Sequence, residues 1–168
     1  RGRIVIDGFY HDVLDWDDET REGIRGLPFD EDEFAASLNT TLAGGEIGYS
    51  VLEKLWVRPT CEVNGLLSGY TGEGAKTVLP GKAMAKVSFR LVADQNPQRV
   101  GELLRSHLAA VTPEGVTVRV EELHGGMPWR AKLDGHLKDA ATSALLKAFG
   151  AEPVLAGEGG SIPIVGDF

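Results

Sequence analysis

Residues 82–92 alternate in a way that few folds accommodate. Ala83, Ala85, Val87, Phe89 and Leu91 fall on one face, and Lys82, Met84, Lys86, Ser88 and Arg90 on the other. A period of two with one apolar side predicts a strand buried on one face and open on the other. Residues 61–70 predict a second, Gly-punctuated strand, and Gly69-Tyr70-Thr71-Gly72-Glu73-Gly74 predicts the loop between them. Asn96-Pro97 opens a helix, with Asn as cap and Pro at the first helical position. Val100, Leu103, Leu104, His107, Leu108 and Val111 follow at helical spacing, and Thr112-Pro113 stops the run. Val116, Val118 and Val120 then alternate with Thr117, Arg119 and Glu121 as a further strand. The order strand, strand, helix, strand, each one-sided, predicts an α+β fold: a ferredoxin-like antiparallel sheet with helices on one face. That plan needs one more strand and helix in front. Residues 1–57 supply no convincing version of that strand, so the unit reads as truncated at its front.

Those first 57 residues predict an extended lead-in followed by short helices. Ile4 and Ile6 alternate with Arg3, Val5 and Asp7 until Gly8 breaks the run. Asp30 with Glu33, and Ser50 with Glu53, have the spacing of capping boxes ahead of apolar residues. At the other end, Gly125-Gly126-Met127-Pro128 reads as a hinge or domain boundary. Beyond it, Asp134 caps a helix with Leu137, Ala141, Ala144, Leu145 and Ala148 as its stripe, ended by Gly150. Pro153-Val154-Leu155-Ala156 and Ile162-Pro163-Ile164-Val165 are short apolar stretches. With 168 residues in all, the chain predicts one domain over 1–123 and a short α/β piece of a second over 124–168. It does not begin with Met, and the expectation is a piece of a longer protein.

Charge and composition narrow the function classes. The net charge of −8 sits entirely in residues 1–50, which hold 12 acids and 4 bases; residues 51–168 hold 13 of each. No basic field attracts a phosphate backbone, so nucleic acid is not expected as a partner. No run approaches the ~18 apolar residues of a membrane helix. A single cysteine, Cys61, excludes an internal disulfide framework and a cysteine-built metal site, and gives a cytoplasmic expectation. The acidic run Asp15-Trp16-Asp17-Asp18-Glu19 reads as a solvated loop and helix start; it lacks the alternation and Gly of a calcium loop.

Few residues carry a chemical signature. Around Gly69–Thr77 a phosphate-loop reading fails, because Ala75 separates Gly74 from Lys76 and a strand follows rather than a helix. His11, His107, His124 and His136 stand in no HxxxH, HxD or HExxH relation, and neighbouring Glu121 and Glu122 point to opposite faces of a strand. No metal site and no catalytic residue is therefore expected within the chain. Arg90 stands out on the polar face of the best strand, with Ser88 and Lys86 on the same side. It suits bidentate recognition of a carboxylate, or it is a solvated cation on an open sheet. Lys76 and Thr77 lie at the mouth of the preceding loop. Gly159-Gly160-Ser161 either presents backbone N–H groups to an anion or forms an ordinary tight turn.

Five stretches carry a family resemblance: Leu55-Trp56-Val57-Arg58-Pro59-Thr60, Gly72-Glu73-Gly74-Ala75-Lys76-Thr77-Val78-Leu79-Pro80, Val87-Ser88-Phe89-Arg90-Leu91-Val92, His124-Gly125-Gly126-Met127-Pro128-Trp129 and Glu158-Gly159-Gly160-Ser161-Ile162-Pro163. In order and spacing the chain resembles the zinc metallopeptidases that include carnosinase-type dipeptidases, folate-cleaving glutamate carboxypeptidases, succinyl-diaminopimelate desuccinylase and aminoacylase, and within them the dipeptidase branch. The resemblance implies a lid, or dimerisation, domain followed by the return into a catalytic domain. It implies hydrolysis of an amide bond next to a C-terminal carboxylate, a peptide or N-acyl amino-acid substrate, and a homodimer through the lid. Two zinc ions, or manganese, are implied with their ligands outside this chain. Arg90 is implied to grip the substrate carboxylate, Thr77 to reach the substrate from the lid, and Gly160 and Ser161 to line the carboxylate end of the pocket. One departure stands out: the dipeptidase pattern usually has Arg where this chain has Gly157. The alternative expectation is a ferredoxin-like binding or dimerisation module without chemistry of its own.

Overall fold

The computed structural model describes residues 2–132, 134–157 and 164–165. Three short helices come first: α1 (Asp18–Arg25), α2 (Glu31–Ser37) and α3 (Val51–Trp56). Strands β1 (Thr60–Ser68) and β2 (Ala83–Arg90) follow, then helices α4 (Pro97–Val111) and α5 (Gly135–Phe149). The class is α+β, as the alternation requires.

Local chemistry places most boundaries. The Asp17 carboxylate accepts from Thr20 N–H and starts α1 inside the acidic run. Asp30 accepts from Glu33 N–H at the head of α2. Ser50 and Glu53 form a complete reciprocal capping box on α3. Asn96 accepts from Arg99 N–H, with Pro97 next, at the head of α4. Gly150 closes α5 with φ of +72°, a conformation that favours glycine. At the head of α5 the expectation holds only in part: Asp134 occupies the cap position, but its side chain makes no capping hydrogen bond.

β1 and β2 form a two-stranded antiparallel sheet, Cys61 opposite Phe89 and Ser68 opposite Ala83. Between Val63 and Gly65 the register slips by one residue. That bulge at Asn64 restores the apolar pattern, because a residue added to one strand exchanges the faces of everything beyond it. Leu66 thereby joins Cys61 and Val63 on the side of Ala85, Val87 and Phe89, while Leu67 pairs with Met84 on the other.

Two expectations about this sheet are corrected. Residues 116–121 are not a strand among the described residues. A strand exists only as one side of a ladder, and β1 and β2 pair with each other alone. Residues nearby lie against α4 instead: Arg105 bonds Glu122 at 2.8 Å, and Pro97 lies against Gly125. Nor is the apolar face of β2 buried along its length. Phe89 is half-buried against Phe9, but Val87, Val63 and Leu66 are exposed by 42 %, 64 % and 76 %. α4 directs Leu103 at Gly8 in the N-terminal turn. Residues 153–156 likewise form no strand, and residues 162–163 lie outside the described residues.

The core therefore sits at the root of the sheet. Phe9, Val51, Leu52, Val57 and Val100 are buried there. Buried Gln95 donates from Nε2 to the Phe9 carbonyl at 3.2 Å and accepts at Oε1 from Val92 N–H at 3.1 Å. Glu53 has no exposed surface, yet its oxygens receive Arg21 Nε at 2.7 Å, Arg25 Nε at 3.1 Å and Ser50 N–H at 2.6 Å. Burial alone would raise its pKa; the Ser50 backbone donor, Arg21, Arg25 and the Ser50 hydroxyl outweigh it and hold the carboxyl at about 2.

The stabilisation from Glu53 follows from that depressed value. A carboxyl ionised more easily in the folded state stabilises above its unfolded pKa, and the contribution fades as pH falls from about 4.5 toward about 2. The shift corresponds to roughly 3 kcal/mol. Glu53→Gln is expected to cost a comparable ~3 kcal/mol at neutral pH, because two guanidinium groups lose their counter-charge. It is also expected to flatten the melting temperature against pH between 5 and 3. Thermal melts of both proteins across that window check this; a parallel acid slope in the variant would assign the acid sensitivity elsewhere.

Candidate functional site

The end of β2 is where sequence and structure meet. Arg90 is the last residue of the strand and lies opposite Thr60, the first residue of β1. Alternation puts Arg90 on the side of Ser88, Lys86 and Met84, away from Phe89 and the core. Its side chain is on the exposed part of the surface. The residues on either side are fixed. Phe89 stacks on Phe9 with ring centroids 5.7 Å apart, and Val92 is held by Gln95. The cation is thus carried by a stretch whose backbone is clasped from two directions.

Thr77 lies at the other end of the strand pair, exposed in the loop 69–82 that joins β1 to β2. That loop has contacts of its own. Tyr70 donates its hydroxyl to the Glu73 carbonyl at 3.0 Å, and Lys76 Nζ stands 5.3 Å from the Tyr70 ring centroid. Arg90 and Thr77 therefore leave opposite ends of β2, one at the anchored root and one in the connecting loop. Gly160 and Ser161, the two remaining candidates, lie outside the described residues.

Around the root, charge is buried and internally matched, which the sequence pattern did not signal. Arg58 and Glu46 are both buried and bond in a fork, Nη2 reaching Oε2 at 2.9 Å and Oε1 at 3.1 Å. Tyr10 and Tyr49 flank the guanidinium, 5.2 and 4.6 Å from it. Arg3 packs on the Tyr10 ring at 4.2 Å and Arg21 on Tyr49 at 4.6 Å, so arginine and tyrosine alternate along one stack. Burial raises the Tyr10 pKa, countered in part by the hydrogen bond from Ile4 N–H. A cavity of about 320 Å³ opens beside this stack, bounded by Arg3, Tyr10, Asp15, Glu46, Tyr49 and Arg58. The arginine there that is deepest already has its carboxylate, so the stack reads as scaffold for the root. Arg58 lies in the quoted motif 55–60; Glu46 has no sequence mark that singles it out.

Thr60 adds a detail next to Arg90. Its Oγ1 is buried and makes no hydrogen bond among the described residues. Among the described residues, no three His, Cys, Asp or Glu side chains are placed to hold a metal ion. The described residues thus do not provide a ligand set for the zinc that the family resemblance implies, and no chemical step is routed through one here.

The comparisons with known proteins follow the same outline. The family described as peptidase dimerisation domain matches residues 15–116. The chain is 28 % identical over 166 residues to a Beta-Ala-His dipeptidase of Rattus norvegicus, covering 97 % of this chain and 34 % of that protein. It is 27 % identical over 169 residues to a Cys-Gly metallodipeptidase of Saccharomyces cerevisiae, covering 98 % and 35 %. The crystal structure of an M20 family metallo-carboxypeptidase from Sulfolobus solfataricus superposes with a TM-score of 0.77 at 34 % identity, over 97 % of this chain and 37 % of that one. This chain thus spans about a third of the length of the curated relatives it matches. With the dimerisation-domain match covering more than half its residues, the chain belongs to the peptidase dimerisation domain family of the M20 metallopeptidases.

Proposed function

We propose that this chain is the dimerisation and substrate-clamping part of a metal-dependent dipeptidase or carboxypeptidase. The reaction is hydrolysis of an amide bond next to a C-terminal carboxylate, on a peptide or N-acyl amino acid. Residues 1–123 form the lid, and 124–168 begin the return into the catalytic domain. The metal ions, two of zinc or manganese, are held by residues outside this chain, and so is the base that activates water. The protein works in the cytoplasm as a homodimer joined through the lid.

One observation carries the clamping role: Arg90 stands on the exposed polar side of β2 while its neighbours Phe89 and Val92 are pinned to the core. A planar guanidinium on a fixed backbone suits a carboxylate, which it binds through two parallel N–H···O bonds. Thr77 meets the substrate from the loop, and Gly160 and Ser161 complete the carboxylate end. The dimerisation role is supported by the family match and by the uncovered apolar side of the sheet, where Val63, Leu66 and Val87 are exposed.

In the full-length protein, Arg90→Ala is expected to melt close to wild type, since an exposed Arg usually contributes no more than ~0.5 kcal/mol. Its kcat/KM should fall about 30- to 1000-fold, the effect of losing roughly 2–4 kcal/mol of transition-state binding. The defect should shrink on a substrate whose C-terminal carboxylate is amidated. An unfolded variant would make Arg90 structural; unchanged melting with unchanged kcat/KM would remove it from the site.

Self-association is checked by light scattering on the purified chain. A dimer or larger species is expected at tens of micromolar, and a monomer at that concentration counts against the dimerisation role.

A further inference from the structure

Gly157 approaches Trp56 more closely than any other residue type permits. A Cβ placed on Gly157 would lie 2.6 Å from Trp56 Cγ and 2.8 Å from both Cβ and Cδ2. These atoms belong to the base of the indole and cannot swing aside as the end of a long side chain does. The backbone after α5 is therefore seated flush on the ring. Trp56 is itself constrained, as the last residue of α3, a helix whose Val51, Leu52 and Glu53 are buried. Val57, Arg58 and Pro59 follow it and are buried too, and β1 then opens at Thr60, the cross-strand partner of Arg90. The ring thus belongs to the same rigid root that carries Arg90.

We propose that Trp56 and Gly157 form a joint that sets how the chain beyond α5 meets the root of the sheet, and that both act as positioning residues for recognition of the substrate carboxylate. This rests on the clamping role proposed for Arg90. Gly160 and Ser161, proposed for the same carboxylate, follow Gly157 by three and four positions in sequence. A side chain at 157 displaces that segment from Trp56 and spreads the two halves of the clamp. The absence of Arg at this position then has a physical counterpart: in this chain the space beside the 157 backbone is filled by an indole.

The test is made in the full-length protein, with steady-state kinetics on a substrate bearing a free C-terminal carboxylate and on its C-terminal amide. Gly157→Ala is expected to raise KM for the free carboxylate about tenfold with kcat within about threefold, and to leave KM for the amide nearly unchanged. In a Trp56→Leu background, where the ring is gone, adding Gly157→Ala should change KM less than about twofold, and the two substitutions should be non-additive in melting temperature. A Gly157→Ala protein with KM within twofold of wild type overturns the joint, as does an equal penalty in both backgrounds. Arg90→Ala is the separate arm. If it cripples hydrolysis while Gly157→Ala is silent, the clamp stands and the joint falls. If Arg90→Ala is itself silent, the clamp reading falls, and with it the positioning role.

Discussion

The structure turns on one buried side chain, Gln95. Its amide donates to the carbonyl of Phe9 and accepts from the N–H of Val92, so it joins the N-terminal turn to the stretch that follows β2. Phe9 in turn packs on Phe89 and lies in contact range of Tyr10, with centroids 5.7 and 5.3 Å apart. A polar group buried this deeply is costly unless bonded, by about 1–3 kcal/mol for each partner lost. Both ends of the Gln95 amide are bonded, so the clasp holds these segments in one arrangement. Neither the short helices nor a two-stranded sheet would persist alone in water. Around this point they share a core.

The charges repeat that logic. Acidic excess is confined to residues 1–50, and it looks in the sequence like a solvated face. Part of it is: Asp17 caps α1 in the open, its carboxyl lowered chiefly by the Thr20 N–H. Glu46 and Glu53 belong to the interior instead, each matched by arginine. Buried pairs of this kind stabilise little against an apolar replacement, yet removing one partner is severe. They fix which segments lie together, here residues 46–58 against α1 and the first turn.

What was legible in the sequence was local. Asn96-Pro97, Ser50 with Glu53, Asp30 with Glu33 and Gly150 mark helix ends, because a cap is a bond between residues three or four apart. The alternation of 83–90 gave the strand and the side on which Arg90 stands. Residues 116–121 show where that reasoning stops: the pattern is as regular, but a strand also needs a neighbour to bond, which periodicity does not report. The bulge at Asn64 has no mark beyond the following glycine, and Asp134 reads as a cap without making the bond. In the site, Arg90 and Thr77 were legible through type and motif. The seat of Gly157 on Trp56 was not, since it joins residues far apart in the chain and depends on the absence of a side chain.

The two described candidates differ in how firmly they are held, and that difference bears on their roles. Arg90 lies between two anchored residues at the root, so its guanidinium approaches a ligand from a fixed base. A contact that must discriminate by geometry belongs there, because a displacement of about 1 Å is enough to lose much of the benefit of orientation. Thr77 belongs to a loop of exposed residues closed by its own Tyr70 and Lys76 contacts. A hydroxyl in such a setting tolerates a range of partners and can follow a substrate as it enters. Fixed recognition of a carboxylate by Arg90 and adaptable contact by Thr77 together favour substrates that share a C-terminal carboxylate while varying in the rest of the molecule.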